Sequence, residues 1–343
     1  MRRQAYESAP MPISLAPEKY LQGTRDIVYL MDNPRISRLN IGAKEAIDFV
    51  ADENPATKLQ QADNAAYIPK KKLIFKIDKE AVIRNKVVRP EDYDKIVDTM
   101  TIDLSDRNYL TKDELIIIDL IATNNWERPI YWAITVGRNK YLNLENYFQV
   151  EGFAYRLVPI KSESKPDRLE FGLVASDIMY DNIMNKFEWG GMNDPNIYMD
   201  ENNMRMMTNV TNSFNRLAST LIDEGKKDSA LAVIDRCFEL IPPSIVPPGY
   251  FTIELANSYF RAGAPEKGKM VLEQAFESFD DDLSYYFSLD RKYIQNKNVN
   301  EEIQRTIFYL QIMERSARAN NLTDFSKKVG EAMQTYFTKF TAI

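Results

Sequence analysis

Phe214-Asn215-Arg216-Leu217-Ala218-Ser219-Thr220-Leu221 is answered, thirty-eight residues on, by Thr252-Ile253-Glu254-Leu255-Ala256-Asn257-Ser258-Tyr259. The match continues. Gly225, Ala230, Ile234 and Phe238 of the first copy correspond to Gly263, Gly268, Leu272 and Phe276 of the second. A bulky residue, Leu-Ala, another bulky residue, a glycine turn, a small residue and a closing bulky stretch make the frame of tetratricopeptide-type helical hairpins, about 34 residues long. Leu217 and Leu221 share one helical face, and Ala218 and Ala230 are small enough to let two helices approach. Gly225 supplies the left-handed turn, and Pro242 with Pro243 stops the second helix because proline lacks a donor. The second copy carries Asp280, Asp281 and Asp282 where the first has proline, and is predicted to end there. Four prolines within residues 241–249 make a stiff connector that accounts for the four residues in excess of the frame. A weaker third copy runs through Tyr309, Ile312, Met313, Asn320, Phe325, Val329, Ala332 and Phe337, as a capping unit would.

Composition limits what else the chain can be. With 343 residues it is long enough for two domains, predicted as an α/β part over residues 1–200 and an all-α array of tetratricopeptide-like hairpins over 201–343. Lysine and arginine total 44 against 50 acidic residues, and the one dense basic run is Lys70-Lys71-Lys72, so a nucleic-acid partner is not expected. Histidine is absent, which excludes imidazole metal sites and His-dependent triads. The single cysteine, Cys237, falls at a small packing position of the first repeat and is predicted buried and inert. No cofactor or metal motif is present; Asp194-Pro195-Asn196 lacks the glycine and terminal glutamate of a calcium loop and is read as a turn. The longest apolar stretch, residues 115–122, is interrupted by Asp119 and is too short to cross a bilayer.

Ahead of the repeats the periodicity changes. Residues 73–77 and 99–104 read as strands, and 129–136 as a strand buried on both faces. A helix lies between the last two. Thr111 with Glu114 forms a capping box, and Leu115, Ile118 and Ile121 or Ala122 make its inner stripe. A further helix spans residues 41–54 and stops before Pro55.

The string beginning Tyr109-Leu110-Thr111-Lys112-Asp113-Glu114 and running through Trp126-Glu127-Arg128-Pro129, with its continuation over 141–160, resembles the C-terminal soluble region of a family of large bacterial multi-pass membrane proteins of unknown function, themselves similar to protein O-mannosyltransferases. Residues 1–15, 22–26 and 187–207 carry further matching strings. The resemblance implies a periplasmic module at the inner membrane, beside a membrane-embedded N-terminal half that uses a lipid-phosphate sugar donor. It implies that the chain is an excised piece whose sheet lacks strands. No catalytic residue carries over, so the chain itself is expected to be non-catalytic.

Two functional readings follow. In the first, the repeats hold a protein or peptide partner in a groove lined by the first helix of each hairpin. Arg216, Ser219 and Asp223, then Glu254, Asn257 and Arg261, occupy the groove positions. Arg216, Asn257 and Arg261 carry the donors and acceptors a peptide needs, although a solvated helix face has the same composition. In the second, Trp126, Glu127, Arg128 and Trp132 form a sugar platform; the alternative is a helix-to-strand turn with core tryptophans. Glu145 and Glu151 could serve as paired glycosidase carboxylates only at the required separation. Trp189-Gly190-Gly191 reads as a loop with one anchoring aromatic.

Overall fold

The computed structural model describes residues 10–20, 26–34, 36, 41–162 and 171–342. Most of the 1–15 string and nearly all of the 22–26 string therefore lie outside the described residues. The chain divides into two compact units, residues 1–150 with 154–173, and residues 151–153 with 174–343.

The first unit holds small sheets with helices between them, so its class is α/β. Strand β1 (Ile27–Leu30) pairs in parallel with β2 (Tyr67–Ile68), and antiparallel with β5 (Tyr109–Thr111). Strands β3 (Lys72–Lys76) and β4 (Thr99–Asp103) form a two-stranded antiparallel ladder with Leu73 opposite Ile102 and Phe75 opposite Met100. Leu73, Phe75, Met100 and Ile102 are buried while the alternate positions are not, the period-2 pattern of a sheet with one face in a core. A third sheet runs in the order β6 (Tyr131–Ala133), β8 (Ala154–Leu157), β7 (Phe148–Val150) and β9 (Leu173–Val174).

Helix α1 (Ala43–Ala51) ends ahead of Pro55 as expected. Helix α2 (Lys79–Arg84) is capped by Asp78, whose carboxylate accepts from the Ala81 amide at 3.0 Å. Helix α3 (Lys112–Thr123) has the predicted capping box of Thr111 and Glu114 and buries Leu115 and Ile118. The strand predicted over 129–136 requires correction: only three residues are extended, and Tyr131 is 47% exposed. β6 is the edge of its sheet, so one face alone meets the core, and Trp132 is the residue that points there.

The second unit begins with helix α4 (Ser176–Asp181) and then carries three long hairpins. These are α5 (Glu201–Asp223) with α6 (Lys227–Leu240), α7 (Tyr250–Ala262) with α8 (Pro265–Ser288), and, beyond the one-turn α9 (Arg291–Ile294), α10 (Lys297–Ala319) with α11 (Thr323–Thr341). The repeat residues sit where the frame puts them. Leu217, Ala218, Ala230 and Ile234 are fully buried, as are Leu255, Ala256 and Leu272. Gly268 faces the same squeeze, since a Cβ there would lie 2.9 Å from the Ala256 carbonyl. Gly225 and Gly263 take φ of +78° and +92° at the two turns.

The predicted end of the second copy at Asp280–Asp282 is not observed, because α8 runs through them to Ser288. Aspartate is only a mediocre helix former, whereas Phe279 and Leu283 continue the buried stripe four residues apart across that stretch. The third hairpin buries Met313, Phe325 and Val329, but Phe337 is 51% exposed and departs from the frame. Its turn has Asn321 at φ +59° in place of glycine. Asparagine tolerates that conformation and a β-branched residue does not, so Asn321→Val is expected to cost about 1–2 kcal/mol, read as a lower urea midpoint, and Asn321→Gly to stay near neutral. An unchanged midpoint in Asn321→Val would contradict the assigned turn.

Candidate functional site

The first helices of successive hairpins are tied to one another by the groove residues themselves. Arg261 on α7 reaches α5, donating to the Ser219 hydroxyl at 2.9 Å and the Asp223 carboxylate at 2.5 Å. Asn257, one turn earlier, accepts with its Oδ1 from Ser316 on α10. These bonds chain α5, α7 and α10 together. Arg216 is buried, 6% exposed, so little of its side chain is offered to a partner in solution.

The second helices are tied on their own side. Tyr259 donates to Asp235 of α6 at 2.6 Å, and Lys267 of α8 reaches the same carboxylate at 2.8 Å with its ammonium 5.7 Å from the Tyr259 ring centre. Burial, then the Asp235 contact, pushes the Tyr259 phenol well up, so it stays protonated and donates to Asp235. Tyr336 of α11 binds the Asp280 carboxylate of α8 at 2.7 Å. Between α8 and α11 lies an open cleft of about 540 Å³ lined by Glu277, Asp280, Asp281 and Glu331, with Lys328 4.8 Å above the Phe276 ring.

The start of the array is sealed by aromatics. Trp189 packs on Phe214 at 5.5 Å and edge-on to Phe153 at 5.8 Å, and Phe153 stacks on Phe187. Trp189 thus anchors the 187–191 loop, and Asp194-Pro195-Asn196 is a local turn closed by the Asp194 carboxylate on the Asn196 amide. Cys237 is buried at the first hairpin, and burial raises its thiol pKa far above the physiological range, so the thiolate nucleophile does not form there.

In the α/β unit the four residues of the sugar reading fall in different settings. Trp132 is in the core, 4.9 Å from the Phe148 ring, with its indole N–H on the Lys140 carbonyl. Trp126 packs against the cluster of Val82, Val87, Val88, Ile96, Val158 and Ile160 and lines a separate cleft of about 170 Å³. Glu127 and Arg128 are exposed; Asn124 closes the turn through the Arg128 backbone, and the Arg128 guanidinium donates to the Pro10 carbonyl. Glu145 pairs with Arg138 at 3.1 Å. Glu145 belongs to the first unit and Glu151 to the second.

One polar site had no counterpart in the sequence reading beyond a break in an apolar run. Asp119 is completely buried in α3 and accepts from five donors: the Ser14 amide and hydroxyl, the Leu15 amide, the Tyr20 hydroxyl and the Thr123 hydroxyl. It fastens the segment around residues 14–20 to the helix. Its only trace in the sequence is a lone carboxylate inside residues 115–122.

No described helix is long and apolar enough to cross a membrane. No curated protein and no solved structure matches the chain. The family model of TMEM260-associated domain 2 matches residues 1–178, more than half of the 343. The matched span takes in the whole α/β unit and the 109–160 string that carried the resemblance to O-mannosyltransferase-like membrane proteins. The chain therefore belongs to the TMEM260-associated domain 2 family, which links it to the glycosyltransferase-related, O-mannosyltransferase-like membrane proteins of that type.

Proposed function

We propose that the chain is a non-catalytic, periplasm-facing module of its membrane protein, in which tetratricopeptide-like hairpins present a protein or peptide partner to the membrane-embedded half. The observation that carries this reading is the chain of side-chain bonds across α5, α7 and α10, which links the first helices of three hairpins along one side of the array. Repeat arrays of this build use such faces for extended contacts with other proteins. Membership of the family supports the membrane setting, and in this reading the α/β unit docks on the parent.

The test is the Asn257→Ala, Arg261→Ala double variant in the full-length membrane protein, with the partner recovered by cross-linking and its affinity measured. At least a tenfold loss is expected, about 1.4 kcal/mol. Stability falls modestly, by about 1 kcal/mol, because Asn257→Ala leaves the buried Ser316 hydroxyl without its acceptor whereas Arg261 and Asp223 form a solvent-exposed pair, so affinity is measured at a temperature where the variant is fully folded. Unchanged affinity would remove the face from the partner site.

A further inference from the structure

The side-chain bonds that tie hairpin to hairpin follow the repeat frame. Tyr309, Met313, Asn320 and Phe325 of the third copy stand for Phe214, Ala218, Gly225 and Ala230 of the first, so Glu314, Arg318 and Gly330 take the places of Ser219, Asp223 and Asp235. In the first hairpin those three places receive the first helix of the next: Arg261 of α7 donates to Ser219 and Asp223, and Tyr259 donates to Asp235. In the second hairpin Asn257 has the place of Ser219 and accepts from Ser316 of α10. The corresponding groove of the third hairpin, between α10 and α11, is open. It measures about 680 Å³, and every residue lining it lies between Glu314 and Gln334 of that same hairpin.

Two features of the groove mark it for a further contact. The Glu314 side chain is only 15% exposed; the Arg318 guanidinium and the Ser326 hydroxyl both donate to its Oε1, and its Oε2 accepts no hydrogen bond among the described residues. Gly330 lies in the interior of α11, where glycine is the least favourable residue after proline. Gly268, also inside a helix, is explained by its squeeze against the Ala256 carbonyl. Gly330 meets no such neighbour: a Cβ there would stand 3.8 Å from the Glu314 Cγ, an ordinary contact. The free chain has room for a side chain at that point. What the glycine adds is a low wall that a second helix can approach closely. Gly330, Gln334 and Phe337 share one face of α11, as Ile307, Gln311 and Glu314 share one of α10. The groove therefore runs from a charged end beside the turn to an apolar end at the half-buried Ile307 and the exposed Phe337.

We propose that this groove docks an amphipathic helix of a partner protein, laid where the first helix of a fourth hairpin would lie. The occupant has the chemistry of α10, the helix that seats on the second hairpin. It sets apolar residues, spaced as Ile303, Leu310 and Met313 are in α10, against the groove and its Phe337 end, and brings a hydroxyl or cationic donor in its last turns to Glu314 Oε2. A second copy of this chain is a poor occupant, because its own α10 is bonded into its array and its first helix is covered by Trp189 on Phe214. The site goes beyond the partner face proposed above. Neither Asn257 nor Arg261 lines it, so its failure would leave that reading standing.

The probe is a peptide of residues 297–319, amidated and carrying fluorescein at its N-terminus, titrated with the full chain while fluorescence polarisation is followed. Binding at submillimolar concentration is expected. Leu310→Asp in the peptide should weaken it at least tenfold. Gly330→Gln in the chain should also weaken it at least tenfold, yet melt at or above the parent temperature, since glutamine is the better helix former and its Cβ has room. Should Gly330→Gln fail to fold, Phe337→Ser must show the same loss of binding. No binding at millimolar concentration, or unchanged binding by Gly330→Gln, would overturn the proposal. So would dimerisation of the chain alone in sedimentation that Gly330→Gln abolishes, an outcome that assigns the groove to a second copy.

Discussion

Leu217→Asp is expected to abolish cooperative unfolding of the helical unit. Leu217 is 0% exposed in α5, as are Ala218 beside it and Ala230 and Ile234 of α6. The substitution removes a leucine's apolar burial and sets a carboxylate into close packing. The two effects together cost about 5 kcal/mol, comparable to the whole stability of a domain. Loss of the helical signal at 222 nm at 25 °C, or a melt broadened and lowered by well over 10 °C, is the expected result. Leu217→Met keeps volume and polarity and should melt within a few degrees of the parent chain. A soluble, fully helical Leu217→Asp protein with an unchanged melt would refute the repeat assignment.

The hairpins were readable because the information is local and repeated. Leu-Ala at the same phase of two helices, with glycine eight residues beyond the leucine, fixes which faces meet, and Gly225 and Gly263 confirm it in their left-handed backbones. Punctuation in the sequence misleads where packing opposes it. Asp280–Asp282 looked like an ending, but the apolar stripe through Phe279 and Leu283 outweighs three residues of modest helix propensity. The α/β unit was harder for a different reason. An apolar run such as residues 129–136 does not record whether a strand lies inside a sheet or at its edge, because that depends on β8, formed more than twenty residues away. Groove positions could be numbered from the frame, but not their partners. The bonds from Arg261 to Ser219 and from Asn257 to Ser316 join residues 42 and 59 apart. Asp119 was the hardest, since four of its five donors lie about a hundred residues earlier in the chain.

Asp119 also contributes a pH-dependent part of the stability of the α/β unit. Burial pushes the pKa of its carboxyl up, but the amides of Leu15 and Ser14 and the hydroxyls of Ser14 and Thr123 outweigh burial and hold it below the usual aspartate value. A depressed folded pKa means that the unfolded chain binds the proton more tightly than the folded one. The stabilisation is therefore complete above the unfolded value of about 3.9 and is lost as pH falls through the folded value. Asp119→Asn replaces one acceptor oxygen with an NH₂ that faces donors, which should cost about 3 kcal/mol near neutral pH. The loss belongs to the attachment of the segment around residues 14–20, so proteolysis there should quicken along with the drop in urea midpoint. The difference between parent and variant should be constant from pH 7 to pH 5 and shrink below about pH 4, because protonation deprives the parent of the same anion. A gap that stays constant down to pH 2 would mean that the five donors do not depend on the charge of Asp119.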